Sequence, residues 1–319
     1  MKRGHLFPKI NPYRHVYLDV GDGHSLYYEL CGNPKGRPVL YVHGGPGAGC
    51  NAGSRRYFNP KKWNIILFDQ RGANRSKPFG SLKANTTWKL VEDIRKLLRF
   101  LNIRKTVLFG GSWGSTLSLV YAIRHPKTVS GLLLRGVFLG RKQDIMYTYG
   151  GGAEDYFPEA WERFAGNVPR NFRNGAISYY VKQMKSKNGR IRNKFAFEFS
   201  YYELSLLKLS VTNKQVMKMM GKVKDNSWHK SMALIESHYM MNGCFMPEDY
   251  VLDNIRKIRT IPVSIVQGRY DALCPPRQAW LLHKGLPESR LFYVTAGHAS
   301  SEPAIQAKLV EEMKKFEKQ

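Results

Sequence analysis

Hydrophobic positions change their period several times along the chain, and each change predicts an element. Residues 16–20 and 25–30 read as two strands flanking Gly21-Asp22-Gly23, and an Asp-Gly pair suits a tight hairpin turn. Residues 38–42, 64–68 and 106–109 are short continuous apolar runs, as expected of strands buried on both faces. Over 87–101 the apolar residues Leu90, Ile94, Leu97, Leu98 and Leu101 follow helical spacing. A further helix is predicted over 113–124 and a further strand over 131–138. Strands alternating with helices imply a mostly parallel sheet flanked by helices.

Past Leu139 the character changes. Gly, Tyr, Trp and Met punctuate predicted helices, among them 195–209 and 228–241, and no buried-strand pattern occurs before residue 250. Strand signals return at 261–267 and 290–294, followed by a helix over 304–315. The economical reading is an α/β core formed by residues 1–138 and 251–319, interrupted by a helical cap over 139–250.

Composition changes this picture little. With 43% hydrophobic and 13% aromatic residues in 319, the chain has ample material for a core, which excludes disorder as the main state. The four cysteines, Cys31, Cys50, Cys244 and Cys274, form no C-x-x-C pair, so a zinc ribbon or disulfide scaffold is not expected. No apolar run is long enough for a membrane span, and the N-terminal segment lacks the apolar stretch of a signal peptide. A soluble cytoplasmic protein without a membrane partner is the expectation. Charge is the unusual property. The net charge is +27, and residues 1–138 alone carry 23 basic against 6 acidic residues. Such a balance favours non-specific attraction to anions. The densest basic run, 182–194, has no helix-turn-helix, zinc-finger or RNP-like context, so no specific nucleic-acid partner is expected and a solvated basic surface is the plainer reading.

Chemistry concentrates at Gly110-Gly-Ser-Trp-Gly114. This G-x-S-x-G pattern follows a predicted strand and precedes a predicted helix, the setting of a nucleophile elbow. There the Ser112 hydroxyl would project at a helix N-terminus, whose positive end favours an oxyanion. A serine needs a base and the base needs an anchor, in the chain order Ser, Asp or Glu, His. Asp271, in Gly268-Arg-Tyr-Asp271, follows one later strand. His298, in Ala296-Gly-His298, follows the next. His43-Gly-Gly-Pro-Gly47 follows the strand over 38–42, and the N–H groups of Gly45 and Trp113 are the expected oxyanion donors. No Gly-Lys-Ser/Thr follows this loop, which argues against a nucleotide. Asp69 reads as structural, because its strand precedes the nucleophile strand and no second carboxylate accompanies it.

Together, HGGPG at 43–47, DQRG at 69–72, GGSWGSTL at 110–117, LRG at 134–136, GRYD at 268–271 and AGH at 296–298 resemble proline iminopeptidases over nearly the whole chain. The resemblance implies an α/β-hydrolase fold with a helical cap. It also implies a serine peptidase, free of cofactor and metal, that releases proline from the N-terminus of small peptides. Ser112, His298 and Asp271 would form its triad. In the cap, residues 199–203 lie where the family has W-x-x-W-E, with Phe199 and Tyr202 replacing the tryptophans, and 235–239 match I-E-x-H-Y. The resemblance therefore assigns Glu203 and Glu236 to the substrate's amino terminus, Tyr202 to the substrate pocket, and Arg135 and Phe138 to its proline end. Ala73-Asn74 and Tyr147-Thr148 depart from the family pattern and are expected to reshape the pocket. Two other readings stay open: a capped esterase or amidase with the same triad, and a basic nucleic-acid-binding protein on a retired hydrolase scaffold.

Overall fold

The computed structural model describes residues 6–224 and 228–317. Strands β1 (Pro12–Gly21) and β2 (His24–Gly32) form the expected antiparallel hairpin, with Asp22 and Gly23 both at positive φ in the turn. Then follow β3 (Arg37–Val42), β4 (Trp63–Phe68), α1 (Thr87–Phe100), β5 (Thr106–Ser112), α2 (Trp113–Arg124) and β6 (Val129–Val137). Helices α3 (Lys142–Tyr149), α4 (Pro158–Gly166), α5 (Ala176–Met184), α6 (Gly189–Leu206), α7 (Asn213–Lys224), α8 (Trp228–Met241) and the single turn α9 (Tyr250–Asp253) come next. The chain then returns to the sheet with β7 (Val263–Gly268), α10 (Pro276–Gly285), β8 (Arg290–Val294) and α11 (Pro303–Phe316).

The eight strands form one sheet in the order β1-β2-β4-β3-β5-β6-β7-β8. Pairing is parallel from β4 through β8 and antiparallel at β1–β2 and β2–β4. Alternation along the strands divides the core between the two faces. Leu40, Ile66, Leu108 and Leu132 pack with α1, α2 and α10, while Val39, Ile65, Val107 and Leu133 pack with α11 and the 3₁₀ segment Ala52–Tyr57. Between β6 and β7 the described residues are helical or irregular, with no strand. The packing of α5, α6 and α8 on one another joins this insertion to the larger core cluster.

The sequence-based boundaries for α1, α2 and the strands agree with these elements to within a few residues. Helices α3, α4, α5, α7 and α10 are additions, short segments whose periodicity is broken by Gly, Pro or mixed polar residues. Among the described residues no helix is long and apolar enough to cross a membrane.

Candidate active site

The connections that follow the six parallel strands β3 to β8 leave their carboxyl ends at one end of the sheet, where open α/β folds place their ligand crevice. Ser112 closes β5 and caps α2 with φ 58° and ψ −131°, a backbone conformation that a side chain rarely adopts. The neighbouring glycines make this turn possible. A Cβ on Gly110 would lie 2.2 Å from the Gly114 carbonyl oxygen, and one on Gly114 would lie 2.1 Å from that of Val42. The β5–α2 turn is thus pressed against the end of β3.

His298 follows β8, and its Nδ1 lies 2.8 Å from Asp271 Oδ2. Both side chains are buried. The Asp271 carboxylate is held by Cys274 N–H (2.7 Å) and Leu273 N–H (3.1 Å) on Oδ1, and by Gln267 Nε2 (3.1 Å) on Oδ2. Gln267, at the end of β7, also accepts from Val137 N–H at 3.0 Å, so it braces the carboxylate against β6. Gly136 completes the seat. Its φ is +52°, and a Cβ there would meet His298 Cε1 at 2.8 Å and Asp271 Oδ2 at 3.2 Å.

Arg135 Nη1 lies 3.0 Å from His298 Nε2 and 3.0 Å from the His298 carbonyl. A guanidinium can only donate, so Nε2 is an acceptor here and the imidazole proton sits on Nδ1, facing Asp271. That tautomer suits a general base. The Nε2 lone pair faces Arg135, however, and no hydrogen bond joins Ser112 to His298 among the described residues.

The 43–47 loop lies against the elbow, with the Cβ position of Gly44 only 3.1 Å from Ser112 Cβ. Gln70 of the 69–72 motif explains its placement. Gln70 N–H donates to His43 Nε2 (2.9 Å), its amide donates to the His43 carbonyl (2.8 Å), and its Oε1 accepts from Trp113 Nε1 (2.9 Å). Burial holds His43 below the usual imidazole range, which suits its acceptor role. Asp69 accepts from Cys50 N–H and pairs with Arg75 at 2.7 Å, a structural arrangement. Trp113 opens α2, where first-turn N–H groups have no intrahelical acceptor.

Above this edge lies a cavity of ≈ 340 Å³ lined by residues that include Ser112, His298, Gly45, Arg135, Phe138 and the two glutamates Glu203 and Glu236. Glu203 faces it from α6 beside Leu204 and Leu207. Glu236 faces it from α8, flanked one turn on either side by Met232 and Met240. The Tyr149 hydroxyl donates to Glu203 Oε1 and lies 3.4 Å from Glu236 Oε1. Glu236 Oε2 is buried without a hydrogen-bond partner. Burial raises both carboxyls, and the neighbouring Glu203 charge pushes Glu236 further, well above the ordinary range. Among the described residues neither Glu203 nor Glu236 pairs with a cationic side chain, so nothing there offsets the cost of ionising them.

Tyr202, which the resemblance assigns to the substrate pocket, is not among the side chains that line this cavity. One residue along a helix turns the side chain by about 100°, so it leaves Glu203 and stacks on Phe164 with ring centroids 4.5 Å apart. Its hydroxyl donates to the Thr148 carbonyl at 2.6 Å. Thr148 lines the cavity, whereas Ala73, Asn74 and Tyr147 do not, so only one of the four departures from the family pattern reaches it. Tyr149, Gln267 and Gly136 were not singled out from sequence. For Gly136 the signal was its place beside Arg135 in LRG. Tyr149 and Gln267 had no local signal. Among the described residues no group of His, Cys, Asp and Glu side chains could hold a metal ion.

A model of the alpha/beta hydrolase fold matches residues 37–304. The chain is 45% identical to a probable proline iminopeptidase of Leptolyngbya boryana, over 98% of this chain and 96% of that one. It is also 45% identical to a proline iminopeptidase of Arabidopsis thaliana, over 96% of this chain and 80% of the relative. The chain belongs to the proline iminopeptidase family of α/β hydrolases. Solved structures agree on the fold. An esterase from Exiguobacterium antarcticum superposes with a TM-score of 0.65 at 19% identity, covering 96% of this chain and all of that one. A proline iminopeptidase from Mycobacterium smegmatis superposes with a TM-score of 0.60 at 15% identity, covering 95% and 99%.

Proposed function

We propose that this chain is a serine aminopeptidase that releases N-terminal proline from small peptides through an acyl-enzyme. The helical segment 139–250 acts as its substrate-binding cap. The observation that carries the reading is the pair of buried carboxylates, Glu203 and Glu236, facing the same cavity as Ser112 and His298. A neutral acyl ester gains nothing from buried acids. The secondary ammonium of an N-terminal proline supplies the missing cation, and charge-assisted hydrogen bonds are strongest in such a desolvated site. With the amine held there, Phe138 stands beside the ring and the acidic end closes the cavity. One residue then fits before the scissile carbonyl.

In the reaction Ser112 Oγ attacks that carbonyl while His298 Nε2 takes its proton. Asp271 holds the Nδ1–H and stabilises the imidazolium. The Gly45 and Trp113 N–H groups receive the oxyanion. His298 then protonates the departing amine, and water, activated by the same base, releases proline. Arg135 must yield Nε2 to Ser112 before the first step. The four cysteines are free and buried, in keeping with a reducing cytoplasm.

One comparison tests the proposal. Proline p-nitroanilide should be hydrolysed, its N-acetylated form should not, and Ser112→Ala should lose several orders of magnitude on the first substrate while keeping its fold. Equal turnover of the acetylated amide, or efficient turnover only of simple esters, would replace this reading with an esterase or amidase of other specificity.

A further inference from the structure

We propose that the groove between α1 and the C-terminal end of α2, which shares no lining residue with the peptidase cavity, is a binding site for a polyphosphate chain. The groove encloses ≈ 560 Å³ and is lined by one face of α1, running from Trp88 to Arg99, and by Arg124 and His125. Arg95 and Arg99 stand one helical turn apart, an i,i+4 pair of like charges that weakens a helix. Arg124 reaches the same groove from α2. None of these three guanidiniums has a side-chain hydrogen bond or ion pair among the described residues. The one carboxylate in the lining, Glu92, is already paired with Lys89 at 3.3 Å. Lys96, the fourth cation, donates to the Val20 carbonyl.

The convergence shows on His125. Burial, and then the charges of Arg95, Arg124 and Arg99, hold its imidazole below the usual range. All three arginines therefore act on one half-buried ring.

This arrangement selects the ligand's chemistry. Guanidinium forks match phosphate oxygens bidentately, and three forks around one concavity call for an anion with several oxygens and more than one charge. A single carboxylate would satisfy one fork and leave two. An aromatic ligand is disfavoured, because Trp88 already has Arg124 over its ring at 5.7 Å and a T-shaped contact with Tyr250 at 5.1 Å between centroids. The groove is short and closed on two sides by helices, which suits a di- or triphosphate chain better than an extended nucleic-acid backbone.

The test uses inorganic tripolyphosphate on the full-length protein, with sodium sulfate at matched ionic strength as the control. Tripolyphosphate should raise Tm saturably, and sulfate should not reproduce the shift. In NMR titrations the His125 imidazole should titrate at higher pH with tripolyphosphate present, because the anion neutralises the guanidiniums facing it. The triple variant R95Q/R99Q/R124Q should bind at least about tenfold more weakly, while its turnover of proline p-nitroanilide stays at the parent level and reports an intact fold. An equal Tm shift with sulfate, unchanged affinity in the triple variant, or an unmoved His125 titration would each overturn the proposal. Tighter binding of a single-stranded oligonucleotide than of tripolyphosphate at physiological salt would also overturn it, in favour of a nucleic-acid surface. The peptidase reading is independent of these outcomes.

Discussion

The Leu207 carbonyl, one helical turn past Glu203, accepts hydrogen bonds from the backbone N–H groups of His298 (3.1 Å) and Ala299 (2.7 Å). The helix that presents an acid to the cavity therefore also anchors the loop that carries the imidazole. Gly297 allows the approach, since a Cβ there would lie 2.5 Å from Leu209 N. Gly297→Ala should separate α6 from the His298 loop. A displacement of about an ångström at a base costs on the order of 100-fold in rate, so kcat should fall on proline p-nitroanilide and on a small neutral ester alike. Steady-state kinetics on both substrates, with circular dichroism as the fold control, decide the matter. Parent-level kcat would mean that the contact is packing alone.

Gly136→Ala strikes the other side of the imidazole. The residue sits at φ +52°, and the new methyl would meet His298 Cε1 at 2.8 Å. It should break the His298–Asp271 geometry and lower kcat by about 100-fold or more on both substrates. A crystal structure of the variant in which the 2.8 Å His298–Asp271 contact persists, with activity retained, would refute this.

Glu236→Gln should stabilise the fold while impairing the enzyme. Burial, reinforced by the Glu203 charge, raises the Glu236 carboxyl well above its ordinary value. A carboxyl raised on folding binds more protons in the native state than in the unfolded one. Stability therefore falls as pH rises from the ordinary carboxylate range through the raised value. The amide removes that loss. Tm of the variant should exceed the parent's by more at about pH 8 than at about pH 5, a gain on the order of 1 kcal/mol at the higher pH. On proline p-nitroanilide, kcat/KM should fall by about 2–5 kcal/mol, with ester hydrolysis preserved. Matched Tm values across that pH range would mean that Glu236 is not a strained acid.

Arg135→Met tests the guanidinium that faces His298, the proposed base. Because Arg135 Nη1 and the Ser112 hydroxyl compete for one Nε2 lone pair, removing the guanidinium should raise turnover of a small neutral ester by a few fold. A loss beyond about tenfold would instead assign Arg135 to holding His298 in place through its second bond, to the His298 carbonyl.

What the sequence by itself determined is local. The elbow was legible because strand β5, the glycines around Ser112 and helix α2 are contiguous, and close-approach glycines leave a pattern that can be read without knowing the neighbours. The sheet was legible because strands buried on both faces carry unbroken apolar runs, as at Leu40, Ile66 and Leu108. Asp271 could be placed because it follows such a strand, β7, and His298 because it follows the short apolar run of β8, an edge strand that is only partly buried. Tertiary structure alone decided the remainder. Tyr202 and Glu203 are adjacent in sequence, but only the packing of α6 against α4 and α8 determines which of them faces the cavity. Tyr149 meets both glutamates because three helices from different parts of the insertion converge. The facing of His298 Nε2 to Arg135 joins β6 to the loop after β8. Such contacts depend on where whole elements dock, and docking is a sum over many buried surfaces that no short stretch of sequence contains.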